Sequence, residues 1–119
     1  MWNRLVLGTG LLVAVVIFLA GPGGTLVLHA EDPLTVEVTL ENDAFSPAEV
    51  KVPAGKPFVL KVTNKGTAAA EIEAKEAKIE KVAAGNSVII VRVRSLQPGR
   101  YLFVNEYKED TVKGYLVAE

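Results

Sequence analysis

The sequence contains no cysteine. That absence excludes a disulfide framework, a thiolate metal site, a zinc knuckle and a cysteine nucleophile. Histidine and methionine occur once each, as His29 and Met1, so residues 31–119 hold no Cys, His or Met. Without a histidine there, no Ser-His-Asp arrangement can be assembled. No glycine-rich phosphate loop follows a strand, and paired carboxylates alone are too common to indicate glycosidase chemistry. The expectation is a protein that is not an enzyme. An excess of basic charge is missing too: thirteen Lys and Arg stand against fourteen Asp and Glu, for a net −1. Near-balance of this kind argues against a nucleic-acid partner, which needs a basic face.

What is present is apolar and unevenly spread. Half of the 119 residues are hydrophobic, and the run Leu5–Ala20 carries no charge, with only Arg4 before it. Gly21-Pro22-Gly23-Gly24 then ends any helix. Residues 1–30 therefore read as a signal peptide cut after Ala30, or as an uncleaved membrane anchor. The apolar run is shorter than the ~20 residues a span needs, although Thr25–Leu28 would extend it past the glycines. On either reading residues 31–119 form the domain and lie outside the cytoplasm, periplasmic, secreted or anchored facing outward. Only Arg4 is charged before Glu31, so the domain carries a formal −2. Its length suits one small core.

Beyond the leader, strand signals succeed one another with little helix between them. Leu34–Glu41 alternates, with Val36, Val38 and Leu40 on one face. Glu49–Val52 ends at Pro53-Ala54-Gly55, and Phe58–Thr63 alternates again with Phe58, Leu60 and Val62 inward. Further strands are expected at Ala69–Glu73, Ile79–Ala83, Ser87–Arg94, Arg100–Val104 and Val112–Ala118. Asn42-Asp43, Asn64-Lys65-Gly66, Gly85-Asn86 and Gln97-Pro98-Gly99 supply the turns. Ala74–Lys78 is the one stretch of helix formers, long enough for a single turn. Seven or eight short strands about ten residues apart predict an all-β, antiparallel Greek-key sandwich. Phe45, Phe58 and Phe103 read as core, and Tyr101, Tyr107 and Tyr115 as core or rim.

Two groups of motifs point to a family. Ala44-Phe45-Ser46-Pro47, Val50-Lys51-Val52-Pro53-Ala54-Gly55 and Val62-Thr63-Asn64 resemble the opening of cupredoxin-like domains. Glu71-Ile72-Glu73, Glu80-Lys81-Val82, Leu96-Gln97-Pro98-Gly99-Arg100-Tyr101, Glu106-Tyr107 and Asp110-Thr111-Val112-Lys113-Gly114 resemble one branch of them. That branch is the small periplasmic cupredoxin-like proteins of bacterial ferrous-iron uptake, similar to the EfeO-type cupredoxin domain. The resemblance implies a metal near the loop between the last two strands. Blue-copper members use soft sulfur and imidazole ligands, which this domain lacks, so type 1 copper is not expected. The branch instead implies carboxylates, which fall on Glu73, Glu80 and Glu106. Its histidine position falls on Lys108, whose ammonium cannot ligate a cation but could pair with Glu106 or Glu80.

Oxygen ligands suit hard cations such as iron, manganese(II) or calcium(II). The implied function is binding or delivery of such an ion as an accessory of iron uptake. The implied partners are a membrane iron permease or a periplasmic iron-binding protein. The competing expectation is a metal-free sandwich that docks on an envelope or membrane partner, with Glu73 and Glu80 part of a solvated ladder alongside Lys75, Lys78 and Lys81. Asp43 is expected to cap the first hairpin through its own backbone. Asp110 and Thr111 are expected to close the last loop by bonding backbone amides.

Overall fold

The computed structural model describes residues 32–119; the expected leader and its cleavage site lie outside the described residues. Leu34–Glu119 forms one compact unit. Its strands are β1 (Leu34–Glu41), β2 (Ala44–Ser46), β3 (Glu49–Val52), β4 (Phe58–Asn64), β5 (Ala70–Ala74), β6 (Ile79–Ala83), β7 (Ser87–Val93), β8 (Gly99–Asn105) and β9 (Lys113–Ala118). Short 3-10 turns at Lys75–Ala77 and Glu106–Lys108 interrupt them. One sheet has the order β2-β1-β4-β7 and the other β3-β9-β8-β5-β6.

The expected all-β sandwich is present, but both sheets are mixed. β1 runs parallel to β4, and β3 runs parallel to β9. After β1 the chain passes through β2 and crosses to the other sheet as β3. It then returns as β4 beside the strand it left, and such a crossover brings two strands together in parallel. The ninth strand is β2, three residues paired antiparallel to the end of β1. Asn42 and Asp43 join them, with φ of 54° and 56°. Two consecutive left-handed residues give a tight hairpin whose twist matches its strands, and Asn and Asp tolerate that conformation.

Alternation along the strands builds the core. On β4, Phe58, Leu60 and Val62 point inward and are buried, and Val38 and Leu40 lie beside them on β1. Ile72, Phe103 and Leu116 face them from the other sheet. Each such side chain contributes roughly 1.5–3 kcal/mol when fully buried. Phe45 of β2 meets Phe103 of β8 edge-on, with centroids 4.6 Å apart and planes at 62°. That geometry lets the edge of one ring meet the π-face of the other, and it ties one sheet to the other.

Gly114 lies where the sheets leave no room. A Cβ at this position would stand 2.7 Å from the Ala48 carbonyl oxygen and 2.7 Å from Cζ of Phe103. The same carbonyl accepts a hydrogen bond from the Tyr115 amide at 2.8 Å, so it cannot retreat without breaking that bond. Gly114→Ala is expected to destabilise the domain by about 1–3 kcal/mol, the usual penalty for overpacking. An unchanged midpoint in urea unfolding would show that the neighbours yield.

The two edge strands β6 and β7 follow one another around a corner of the sandwich. Lys81 of β6 reaches across and donates its Nζ to the Ile90 carbonyl of β7 at 3.2 Å. A cation placed on an exposed strand edge discourages pairing with another chain. The C-terminal part of the charged run 71–81 thus lies on an exposed edge strand, β6, whose Lys81 is engaged.

Candidate metal centre

β5 buries Ala70, Ile72 and Ala74, which turns Glu71 and Glu73 outward. A 3-10 turn closes at Lys78, in the left-handed conformation with φ of 61°, and its amide bonds the Lys75 carbonyl at 3.1 Å. This tight reversal sets Glu73 directly opposite Glu80 on β6 and Glu71 opposite Val82. On the other flank, Ile72 faces Asn105 and Glu73 faces Val104 of β8. One step further along β8, the chain leaves the sheet and Glu106 begins the second 3-10 turn.

Glu71, Glu80 and Glu106 converge: one carboxylate oxygen of each lies within 4.8 Å of the other two. Glu71 and Glu80 are diagonal rather than direct partners, a separation long side chains can close. Glu71 and Glu106 are half-buried, and Glu80 is exposed. The structure therefore brings together two of the three residues named from the resemblance, Glu80 and Glu106, with Glu71. Glu73 stands outside the trio on the same face of the sheet, close enough for Glu106 to act on its charge.

Electrostatics follow from this crowding. Partial desolvation raises the pKa of Glu71 above the ordinary glutamate value, and hydrogen bonding to and repulsion from Glu106 and Glu80 raise it further. Glu73 is raised by desolvation first and then by Glu106, with Lys75 pulling the other way. Among the described residues, the ion pairs are Lys51–Glu119, Arg100–Glu49 and Lys108–Asp43, and none involves the four glutamates. Among the described residues no salt bridge neutralises the cluster, and only Lys75 offsets part of its charge, at Glu73.

Asn105 positions it. This buried amide accepts hydrogen bonds through Oδ1 from the Glu71 amide at 3.0 Å and the Tyr107 amide at 3.2 Å. One side chain thereby caps the turn carrying Glu106 and fixes the backbone carrying Glu71. Neither Glu71 nor Asn105 is singled out by the sequence reading. Glu71 shares the outward face of Glu73 in the Glu71-Ile72-Glu73 motif, so alternation alone would have nominated it. Nothing in the sequence marks Asn105.

Lys108 does not turn toward the glutamates. Its Nζ binds both oxygens of Asp43, at 2.9 and 3.1 Å, and so ties the loop after β8 to the first hairpin. The Asp43 carboxylate serves that ion pair rather than its own backbone. Thr111 bonds the Lys108 carbonyl, through its amide at 3.1 Å and its hydroxyl at 3.4 Å, rather than a backbone amide. Tyr107 is 57% exposed, whereas Tyr101 packs against the core and donates its hydroxyl to the Gln97 carbonyl at 2.7 Å. Arg100 lies 4.3 Å above the ring of Tyr115.

A cavity of about 410 Å³ opens at the end of the sandwich where the 42–43 hairpin, the 65–69 loop and the turn after β8 meet. Polar side chains lining it include Asp43, Asn64, Asn105 and Tyr107, together with the Lys108 ammonium, which cannot ligate a metal.

A family model described as a cupredoxin-like domain matches residues 10–118. The chain belongs to this family. An uncharacterized protein of Rickettsia prowazekii (strain Madrid E) is 26% identical over 84 residues, 71% of this chain and 67% of that one. Among solved structures, the cupredoxin-like domain is similar to the metal-binding domain of the Cu(I)-exporting P-type ATPase CopA of Streptococcus pneumoniae D39. That match has a TM-score of 0.61 and 18% identity, and covers 71% of this chain and 84% of that one. Auracyanin A, a blue copper protein from Chloroflexus aurantiacus, matches with a TM-score of 0.58 and 20% identity, over 74% of this chain and all of that one. These likenesses concern the fold.

Type 1 copper does not fit the donor set at the cavity. Amide, carboxylate, phenol and ammonium groups line it, with no sulfur and no imidazole among the described residues. A blue-copper site requires both of the missing ligand types.

Proposed function

We propose that this cupredoxin-like protein binds a hard metal ion through carboxylates on the outer face of its five-stranded sheet. Glu71, Glu80 and Glu106 would supply the ligands, with Glu73 beside them. The convergence of three carboxylates, with no salt bridge to any of them among the described residues, carries the reading. Three negative groups so close repel unless a cation lies among them, and oxygen donors select iron, manganese(II) or calcium(II) over copper(I). Half-exposure leaves the ligands open to solvent, as a protein that accepts and passes on an ion requires. In this reading the protein is exported, does no catalysis and acts as an accessory of iron uptake, in the manner of the EfeO-type domains it resembles. It would deliver its ion to a membrane permease or a periplasmic iron-binding protein.

A second reading rests on Lys108. At the end of the sandwich where the resemblance implies a histidine ligand, an ion pair with Asp43 holds the loop instead. A sandwich secured there without metal would serve as an interaction module on an envelope partner. Calorimetric titration with iron(II), manganese(II), calcium(II) and copper(II) separates the two. The cation reading expects binding by a hard ion that Lys108→His leaves unchanged. Affinity weaker than millimolar for every ion, with copper or iron binding gained only on Lys108→His, would establish the metal-free reading.

A further inference from the structure

On the outer face of the five-stranded sheet, beside the carboxylate trio, lies a groove of about 330 Å³. Its floor is Leu102 and Val104 of β8, and Leu102 is 43% exposed in the middle of the sheet. Glu73, Glu76 and Glu109 rim it, with Lys75 as the single cation in the lining. We infer that this groove docks an extended, cationic segment of a partner protein, with one aliphatic side chain on Leu102 and Val104 and Arg or Lys side chains against the rim.

The chemistry of the occupant follows from the lining. Val104 is already buried, whereas Leu102 is half-exposed, so a side chain seated here removes mainly Leu102 from water, with a gain roughly in proportion to the area covered. The lining holds three carboxylates and one ammonium, and Lys113 of β9 stands opposite Val104. The balance stays negative, so the face repels anionic groups, including the headgroups of an acidic membrane, and attracts a basic chain. Glu71, Glu80 and Glu106 extend the negative field along the same sheet, so a basic segment is steered to this face before it docks. A second copy of this chain is a poorer occupant. Its exposed β7 edge has suitable residues in Val88, Ile90 and Arg92, but the Ile90 carbonyl is already engaged by Lys81.

The groove does not depend on the cation reading, and its test is run on the full chain in EDTA so that metal plays no part. The probe is the peptide Gly-Arg-Leu-Arg-Ser-Arg-Gly, followed by methyl NMR. Saturable shifts of the Leu102 and Val104 methyls are expected, with affinity reduced about tenfold by the double variant Glu76→Gln/Glu109→Gln and by high salt. Both positions are exposed, so the variant is expected to fold. Three results would each overturn the proposal. The methyls do not move at millimolar peptide; a peptide with Ser for Leu binds equally well, which reduces the effect to bulk charge; or the same shifts arise on self-association without peptide.

Discussion

Alanine in place of Asn64 is expected to lower the unfolding free energy by about 3 kcal/mol. The side chain is buried at the end of β4, and its Nδ2 donates to the carbonyls of Ala68, Ala83 and Ala84 at 3.0–3.2 Å. Its Oδ1 accepts from the Gly66 amide at 3.0 Å. Truncation strands several polar groups in a protected place, at about 1–3 kcal/mol for each that water cannot reach. Asn64→Asp tests the direction of the bonds: the carboxylate keeps the acceptor but turns negative charge on three carbonyls, so it is expected to destabilise at least as much as alanine. The junction is tight as well as polar. The Asn86 amide bonds the Gly66 carbonyl at 2.8 Å, and a Cβ on Gly85 would fall 2.1 Å from the Thr67 carbonyl oxygen. Urea unfolding of the variants measures the effect. A loss below about 1 kcal/mol for Asn64→Ala, the ordinary net worth of one hydrogen bond, would mean that water replaces the amide.

Asn64 also shows what kind of information the sequence carries. Its place after an apolar strand is readable, because Phe58, Leu60 and Val62 alternate and the turn Asn64-Lys65-Gly66 follows. Its partners are not, since Ala83 and Ala84 approach only once β6 and β7 have turned the corner between sheets. The same division runs through the fold. β1, β3 and β6 have the bounds that periodicity indicates, whereas the parallel pairings of β1 with β4 and β3 with β9 depend on crossovers that leave no local pattern. β2 escaped because three residues are too few to show a period.

At the carboxylate site, alternation places Glu71 and Glu73 on one face. Which of them meets Glu80 and Glu106 is decided by a diagonal contact and by where β8 leaves the sheet. Lys108 and Asp43 are 65 residues apart, and a charge pair formed at that distance has no signature in a single sequence. The order of chemical reasoning matters here. The lack of Cys in the chain, and of His and Met in residues 31–119, argues against type 1 copper from composition alone, but which carboxylates meet is decided only by the three-dimensional register.

Adding manganese(II) at about one hundred times its dissociation constant is expected to stabilise the domain by about 2.7 kcal/mol, the increment that linkage fixes for one site. At about 4–8 °C per kcal/mol for a domain of this size, the melting temperature should rise by roughly 10–20 °C. Without metal the cluster acts in the opposite sense. The raised pKa values of Glu71 and Glu73 mean that the folded chain holds these protons more tightly than the unfolded one. Their contribution to stability is fully present below the ordinary glutamate value and is lost as pH rises through the raised values. Glu71→Gln removes one of the repelling charges. In EDTA it is therefore expected to melt higher than the parent near pH 8, with the advantage shrinking toward about pH 5. On the cation reading the order reverses in manganese, because the variant would lack a ligand and bind at least about tenfold more weakly, the loss that even outer partners of a metal site produce. Scanning calorimetry of both proteins at both pH values, with and without the ion, measures all of these differences. A parent whose melting temperature ignores manganese, iron and calcium, together with a Glu71→Gln variant that melts higher in every buffer, would identify the glutamates as a strained surface patch and remove the metal from the site.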